Sequence, residues 1–264
     1  MTQPSPPVAK IQAILEYDRI WCAYALADLD PSEMPKCDWL VGRHAVILIY
    51  RGAEPPVLFA HGDPAGLEAC FRDIEPGAYA FALTGTQRTL VRGRLRPWQE
   101  QRMWRMSLKP QDFPGAGDEG VVQLGPPDED EIVALFADSP DRPDAFYPRQ
   151  LEAKTFFGIR EDGHLVSIAG THVLSQTYGV AAVGNVFTRP DRRGHGLGTR
   201  ATAAVVARLL SMDLQTIVLN VSMDNQPAQA SYRKLGFWPY CGYYEGLAEI
   251  TPDSEGPTEE TRLE

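Results

Sequence analysis

Residues 185–201, Asn-Val-Phe-Thr-Arg-Pro-Asp-Arg-Arg-Gly-His-Gly-Leu-Gly-Thr-Arg-Ala, decide how this chain is read. A strand ends near Thr188. A short basic loop follows, then Gly194, Gly196 and Gly198 at alternate positions, then an Ala-rich helix. Glycines let backbone approach a ligand closely, and the first turn of a helix leaves N–H groups without intrahelical partners. Those groups, with the positive end of the helix dipole, suit an anion such as a pyrophosphate. Arg189, Arg192 and Arg193 add positive charge at the same place. A plain strand-to-helix turn with solvated arginines is the competing reading of the loop taken alone.

Three kinds of phosphate loop compete. The chain contains no Gly-Lys dipeptide, so a Walker A loop is excluded. A dinucleotide fingerprint has a partial match in Gly196-x-Gly198-x-x-Ala201, with Asp224 near the place of a ribose-binding acid. Against it, Arg189–Arg193 separates the strand from the first glycine. Only 40 residues follow Asp224, too few for the further βα units that fold needs. The third kind is carried by two segments together. Arg193-x-x-Gly196-x-Gly198 is followed by Leu219-Asn220-Val221-Ser222-Met223-Asp224-Asn225, which ends a strand, and then by Pro227 to Phe237, ending Tyr232-Arg233-Lys234-Leu235-Gly236-Phe237.

These two segments, in order and with a helix and a strand between them, resemble the signature of the GNAT acyl-CoA-dependent N-acetyltransferases. The resemblance covers about residues 121–245. The N-terminal half lacks such a loop and resembles the accessory half of two-domain GNAT proteins of the glycine N-acyltransferase type. The resemblance implies acetyl-CoA as co-substrate and an amine as acyl acceptor. It implies that the backbone of Val186, Phe187 and Thr188 pairs with the pantetheine arm, where the strand splays from its neighbour. One N–H there would stabilise the tetrahedral oxyanion. It also implies that Arg193, Gly194, His195, Gly196, Leu197, Gly198 and Thr199 bracket the pyrophosphate, with His195 lending a backbone N–H. Asn225 is a natural N-cap, with Pro227 in the first turn, and can touch the cofactor as well. Tyr232 is the candidate catalytic residue, a phenol that gives a proton or hydrogen bond to the departing CoA thiolate; packing in the core is its alternative role. Many GNAT enzymes carry a Glu on the strand before the Asn helix. Asn220 stands there in this chain and cannot take a proton, so His172, Asp224 and Glu245 are the candidate substitutes.

The rest of the chain sets the frame. Its 264 residues, 44% apolar and 23% charged, describe a globular protein of about two domains. Lys plus Arg is 25 and Asp plus Glu is 35, a net charge of −10, which disfavours nucleic acid and suits a cationic acceptor. Cys22, Cys37, Cys70 and Cys241 lack zinc-ligand or C-x-x-C spacing, so no metal is expected and the thiols read as reduced. With no apolar leader and no run long enough to span a bilayer, a cytoplasmic protein away from membranes is expected. A homodimer is compatible with this reading.

Apolar spacing predicts a helix over Val8–Leu29 and strands over 44–50, 56–60, 78–83 and 98–108, with a short helix over 63–73. Lys109–Gly120, with two Pro and three Gly, reads as a linker. Beyond it come a strand at 121–124, a helix at 128–137, strands at 154–160, 165–173 and 180–188, a helix at 198–210, a strand at 216–221 and a helix at 226–235. The expected organisation is an accessory α/β domain over 1–115, a GNAT domain over 120–250 and an acidic disordered tail over 251–264. The fold class is α/β with a mixed sheet, the N-terminal half a scaffold with the outline of a degenerate GNAT-like half. The function expected is acetyl or short-acyl transfer from CoA to a primary amine by direct attack in a ternary complex, since no nucleophile motif is present. A non-catalytic acyl-CoA sensor and a nicotinamide-dependent enzyme are the rivals.

Overall fold

The computed structural model describes residues 7–117, 120–137, 139, 142, 143 and 146–252. The expected acidic tail lies, from residue 253 on, outside the described residues. In chain order the elements are α1 (Val8–Leu15), α2 (Ala23–Ala27), β1 (Cys37–Val41), β2 (Ala45–Tyr50), β3 (Val57–Gly62), α3 (Pro64–Arg72), β4 (Gly77–Thr84), α4 (Gly85–Val91) and β5 (Leu95–Leu108). There follow β6 (Val121–Leu124), α5 (Glu129–Ala137), β7 (Phe156–Glu161), β8 (His164–Ser175), β9 (Val180–Thr188), α6 (Leu197–Leu210), β10 (Thr216–Ser222), α7 (Gln226–Lys234) and β11 (Phe237–Ile250). Among the described residues no helix is long and apolar enough to cross a membrane.

The chain packs as two compact units, each assembled from separated segments. Unit 1 takes residues 1–17, 33–102 and 243–264; unit 2 takes 18–32 and 103–242. The expected divisions were contiguous. The Pro/Gly-rich stretch 109–120 lies within unit 2, and the chain instead passes from one unit to the other inside β5 and β11.

The single helix expected over Val8–Leu29 is two helices. α1 stops at Leu15, and a 3-10 turn over Glu16–Asp18 follows. The Asp18 carboxylate then accepts the Trp21 N–H at 3.0 Å. A short acidic side chain that bonds nearby backbone competes with helix continuation. One apolar periodicity therefore serves two cores: Ile11 and Leu15 are buried in unit 1, Trp21, Ala25 and Leu26 in unit 2.

In unit 1 the strand order is β1-β2-β3-β4-β11, antiparallel except for the parallel pair β3/β4. α3 makes the crossover that a parallel pair requires. It buries Leu67 and Phe71 against Ile47, Leu58, Phe81 and Leu83. In unit 2 the order is β5-β10-β9-β8-β7-β6, again antiparallel except for one parallel pair, β9/β10, joined through α6. The Ala-rich face of α6 lets Ala201, Val205 and Leu209 lie close on Val183, Ile217 and Leu219. The segment β1–β2–β3–α3–β4–α4–β5 repeats the order and strand senses of β7–β8–β9–α6–β10–α7–β11.

Candidate active site

The site begins with a fork. β10 pairs with β9 over Thr216↔Val180 to Leu219↔Val183, and the ladder then stops although both strands continue. Past that point β9 is held on its outer side by β8, with Ile168↔Phe187 and Ser167↔Thr188. β10 is held by β5, with Asn220↔Arg105, Val221↔Trp104 and Ser222↔Met103. The inner edges of residues 185–188 and 220–222 thus face an opening in the sheet.

Local chemistry forces the strands apart. Between Gly170↔Gly184 and Ile168↔Phe187, β9 has two residues opposite one, a β-bulge at Asn185 and Val186. Asn185 takes a left-handed φ of 51°. Its side chain is buried and donates to Gln150 Oε1 at 3.2 Å and to the Thr171 carbonyl at 3.4 Å. A second irregularity on β8 accommodates His172. A Cβ at Gly184 would fall 2.3 Å from the His172 ring, so only glycine lets that ring lie flat on the strand.

The strand that forms one arm of the fork leads into the glycine loop. Val186 and Thr188 are half-buried and Phe187 is buried. Arg193, Gly194, His195 and Gly196 are exposed, and Leu197 closes the loop onto the core. Gly194 and Gly196 have φ of 84° and 75°, and an added Cβ at either would meet nothing within 4 Å, so the loop leaves open space. The first intrahelical bond of α6 runs from the Arg200 N–H to the Gly196 carbonyl at 3.0 Å. The N–H groups of Leu197, Gly198 and Thr199 lie ahead of it. Arg193 donates to the Thr188 carbonyl at 3.1 Å and lies 5.8 Å from the Phe187 ring centroid. The positive charge read from the sequence is reduced here: Arg189 pairs with Asp191 at 2.6 Å and Arg192 with Glu161 at 2.7 Å.

Asn225 caps α7, its Oδ1 accepting the Ala228 N–H at 3.1 Å. Two turns along, Tyr232 is 8% exposed and packs edge-on against Phe237, ring centroids 6.3 Å apart. Burial among apolar neighbours pushes its phenol up to about 12. Of the three substitutes for the missing Glu, Glu245 belongs to unit 1, where it accepts from the Tyr243 hydroxyl at 2.9 Å. Asp224 lies in the turn between β10 and α7, its N–H on Ser222 Oγ at 3.2 Å. His172 stands beside the fork: the Asn185 N–H donates to its Nε2 at 3.2 Å, and its Nδ1 lies 3.1 Å from the Tyr24 hydroxyl.

Tyr24 is the side chain that sequence reasoning missed. It comes from α2, which packs on β8 and β9. Asn220 Nδ2 donates to the same hydroxyl at 3.4 Å. The buried Arg105 guanidinium lies 4.7 Å from the Tyr24 ring centroid and 5.4 Å from that of Trp21. Asn220 and Arg105 are cross-strand partners, so their side chains share one face. Tyr24 and His172 are separated by 148 residues, and no local pattern joins them.

A fork of inward-facing backbone groups running into an open, N–H-rich loop suits a long ligand with an anionic middle. Residues 126–237 match the model of the acetyltransferase (GNAT) family. A putative [ribosomal protein bS18]-alanine N-acetyltransferase of Bacillus subtilis is 32% identical over 111 residues, covering 41% of this chain and 72% of that protein. The chain belongs to the GNAT family. It is an acyl-CoA-dependent acetyltransferase by that membership. A mycothiol acetyltransferase of Thermobispora bispora is 28% identical over 241 residues, covering 80% of this chain and 75% of its own. Another, of Saccharomonospora viridis, matches over only 29% of its own length, at 36% identity. The solved GCN5-related N-acetyltransferase from Kribbella flavida shares the fold at a TM-score of 0.63 and 19% identity, covering 90% of this chain and 95% of that one. A tandem GNAT protein from the clavulanic acid biosynthesis pathway does so at 0.55 and 15%, covering 94% and 98%.

Proposed function

We propose that the chain transfers an acetyl group from acetyl-CoA to a primary amine by direct attack within a ternary complex. The observation that carries this reading is the continuity of the fork with the glycine loop along one strand, β9. The inner edges of Val186, Phe187 and Thr188 would pair with the pantetheine arm. The N–H groups from Gly194 to Thr199, with Arg193, would hold the pyrophosphate. The open space beside Gly194 and Gly196 fits such a group.

In this reading the amine nitrogen bonds to the thioester carbon, the C–S bond breaks, and CoA leaves as a thiolate. Tyr232 acts on the leaving sulfur. A phenol near 12 is a much weaker acid than a thiol, whose ordinary value is ~8.5. Tyr232 therefore keeps its proton and steadies the thiolate by donating a hydrogen bond, leaving final protonation to solvent. Asn225 holds the N-terminus of α7 and so the placement of Tyr232.

The chemistry of the acceptor is a primary amine. A relative that matches over 80% of the chain is named a mycothiol acetyltransferase, so a mycothiol-type acceptor is the first small molecule to test. An alanine-bearing peptide of ribosomal protein bS18 is the second. Release of CoA thiol from acetyl-CoA, followed with a panel of such amines, tests the proposal. Tight acetyl-CoA binding with no thiol release for any amine would favour the sensor reading, which the carboxamide at Asn220 motivates.

A further inference from the structure

We propose that Tyr24 is the proton acceptor of the transfer: its phenolic oxygen, held between His172 Nδ1 and Asn220 Nδ2 beside the fork of β9 and β10, takes the proton of the attacking amine. This rests on the acetyltransferase reading and supplies the base that Asn220 cannot be. The argument starts at a backbone group. The Asn185 N–H can only donate, so His172 Nε2, 3.2 Å away, must accept. The neutral ring then carries its proton on Nδ1, which faces the Tyr24 oxygen at 3.1 Å. Adding a second proton at Nε2 would set two N–H groups against each other. His172 is thereby held as a donor and is a poor base.

The Tyr24 oxygen thus receives the His172 Nδ1–H and the Asn220 amide at 3.4 Å. The Arg105 guanidinium lies over the same ring at 4.7 Å. Hydrogen bonds donated to an oxygen and a nearby cation both favour negative charge on it. Of the titratable and charged groups that face Tyr24, His172 comes from β8 and Arg105 from β5. Cys241 of β11 is within electrostatic reach of Arg105, and Asp18, ahead of α2, bonds the Tyr240 hydroxyl at 2.8 Å. Tyr24 is only partly buried, and beyond the last β9/β10 pair, Leu219↔Val183, Asn220 is the first residue of β10 and Asn185 the second of β9. In the step, a neutral amine and the Tyr24 phenolate give the amide N–H product and the Tyr24 phenol as the C–N bond forms. The electrons of the C–S bond leave with sulfur as the CoA thiolate, so charge and protons balance. Tyr24 returns its proton to solvent between turnovers.

The test compares wild type with Tyr24→Phe and His172→Phe as full chains, each first shown to retain its acetyl-CoA thermal shift. Ultraviolet titration of the phenolate band should show one tyrosine ionising ahead of the others in wild type and lost in Tyr24→Phe. Tyr24→Phe should lower kcat by ~10²–10⁴-fold with acetyl-CoA affinity within about threefold, and should flatten the acid limb of the kcat/KM profile. His172→Phe, which removes a donor, should move that limb to higher pH. An unchanged titration, or a Tyr24→Phe profile that overlays wild type, overturns the assignment while leaving the acetyltransferase reading intact. Failure of wild type to acetylate any amine overturns both.

Discussion

At Tyr232 one burial has two consequences that can be measured apart. The phenol is raised from 10 to about 12 by desolvation alone, so the folded chain holds a proton that the unfolded chain releases first. Its contribution to stability is complete below pH 10 and is lost as pH climbs through about 12, an effect of about 2–3 kcal/mol at most. Cys241 and Tyr240 are raised by burial too, and add their own alkaline loss. Denaturation of Tyr232→Phe beside wild type isolates the first term: wild type should lose stability relative to the variant as pH rises from 10 through about 12. A constant gap across that range would mean that Tyr232 ionises as easily folded as unfolded. Kinetically, Tyr232→Phe should lower kcat by ~10–10³-fold with acetyl-CoA affinity within a few-fold, as loss of an interaction made to the leaving group does. Equal kcat in both proteins would leave Tyr232 as packing.

At the scale of elements, the junction of β9 with α6 concentrates the binding prediction. Gly196 is the N-cap of α6 at φ 75°, which a residue with a Cβ adopts at a cost of about 1–2 kcal/mol. Gly196→Glu adds that strain and a carboxylate against the N–H groups of the first turn. Acetyl-CoA should raise the Tm of wild type, raise that of Gly196→Ala by less, and leave Gly196→Glu unmoved. An undiminished shift in Gly196→Glu would place the ligand elsewhere. This junction was legible in the sequence because everything that shapes it is local: a β-branched strand end, alternate glycines, an Ala-rich periodic helix. α7 was legible for the same reason, with Asn225 as its cap and Gly236 at its end. The split of α1 from α2 was not, because the Asp18 turn interrupts a periodicity that continues in register on both sides. Nor was β11, whose 14 residues include Pro239, Gly242 and Gly246 and show no apolar alternation. The cluster of Tyr24, His172, Asn220 and Arg105 lay beyond reach altogether. Each of its contacts joins residues of different elements, and the bulges that aim His172 and Asn185 exist only once β8 and β9 pair.

Across the whole molecule the same run of elements occurs twice, yet only one copy keeps an open fork. In unit 1 the parallel pair β3/β4 also stops early, after Phe59↔Ala82, while β3 continues to Gly62. There the gap is bridged from within: the buried Gln87 of α4 donates to the Ala60 carbonyl at 2.8 Å. The helix that follows β3 is closed as well. Asp63 caps α3 by accepting the Gly66 N–H at 2.8 Å, which sets a carboxylate at the helix N-terminus, and Pro64 removes one N–H donor. α4 is sealed by a capping box, with the Thr84 N–H on Gln87 Oε1 at 2.8 Å and the Gln87 N–H on Thr84 Oγ1 at 3.4 Å. In unit 2 the corresponding cap is Gly196, which has no side chain to satisfy the first turn of α6. The N–H groups proposed to hold an anion in one copy are thus spent on the protein's own side chains in the other. Isothermal titration of the full chain with acetyl-CoA should give a stoichiometry of one, and Gly196→Glu should reduce it to zero. A stoichiometry near two, or one site persisting in Gly196→Glu and lost on a Gln87 substitution, would show that unit 1 binds after all and that its plugged fork opens to admit the ligand.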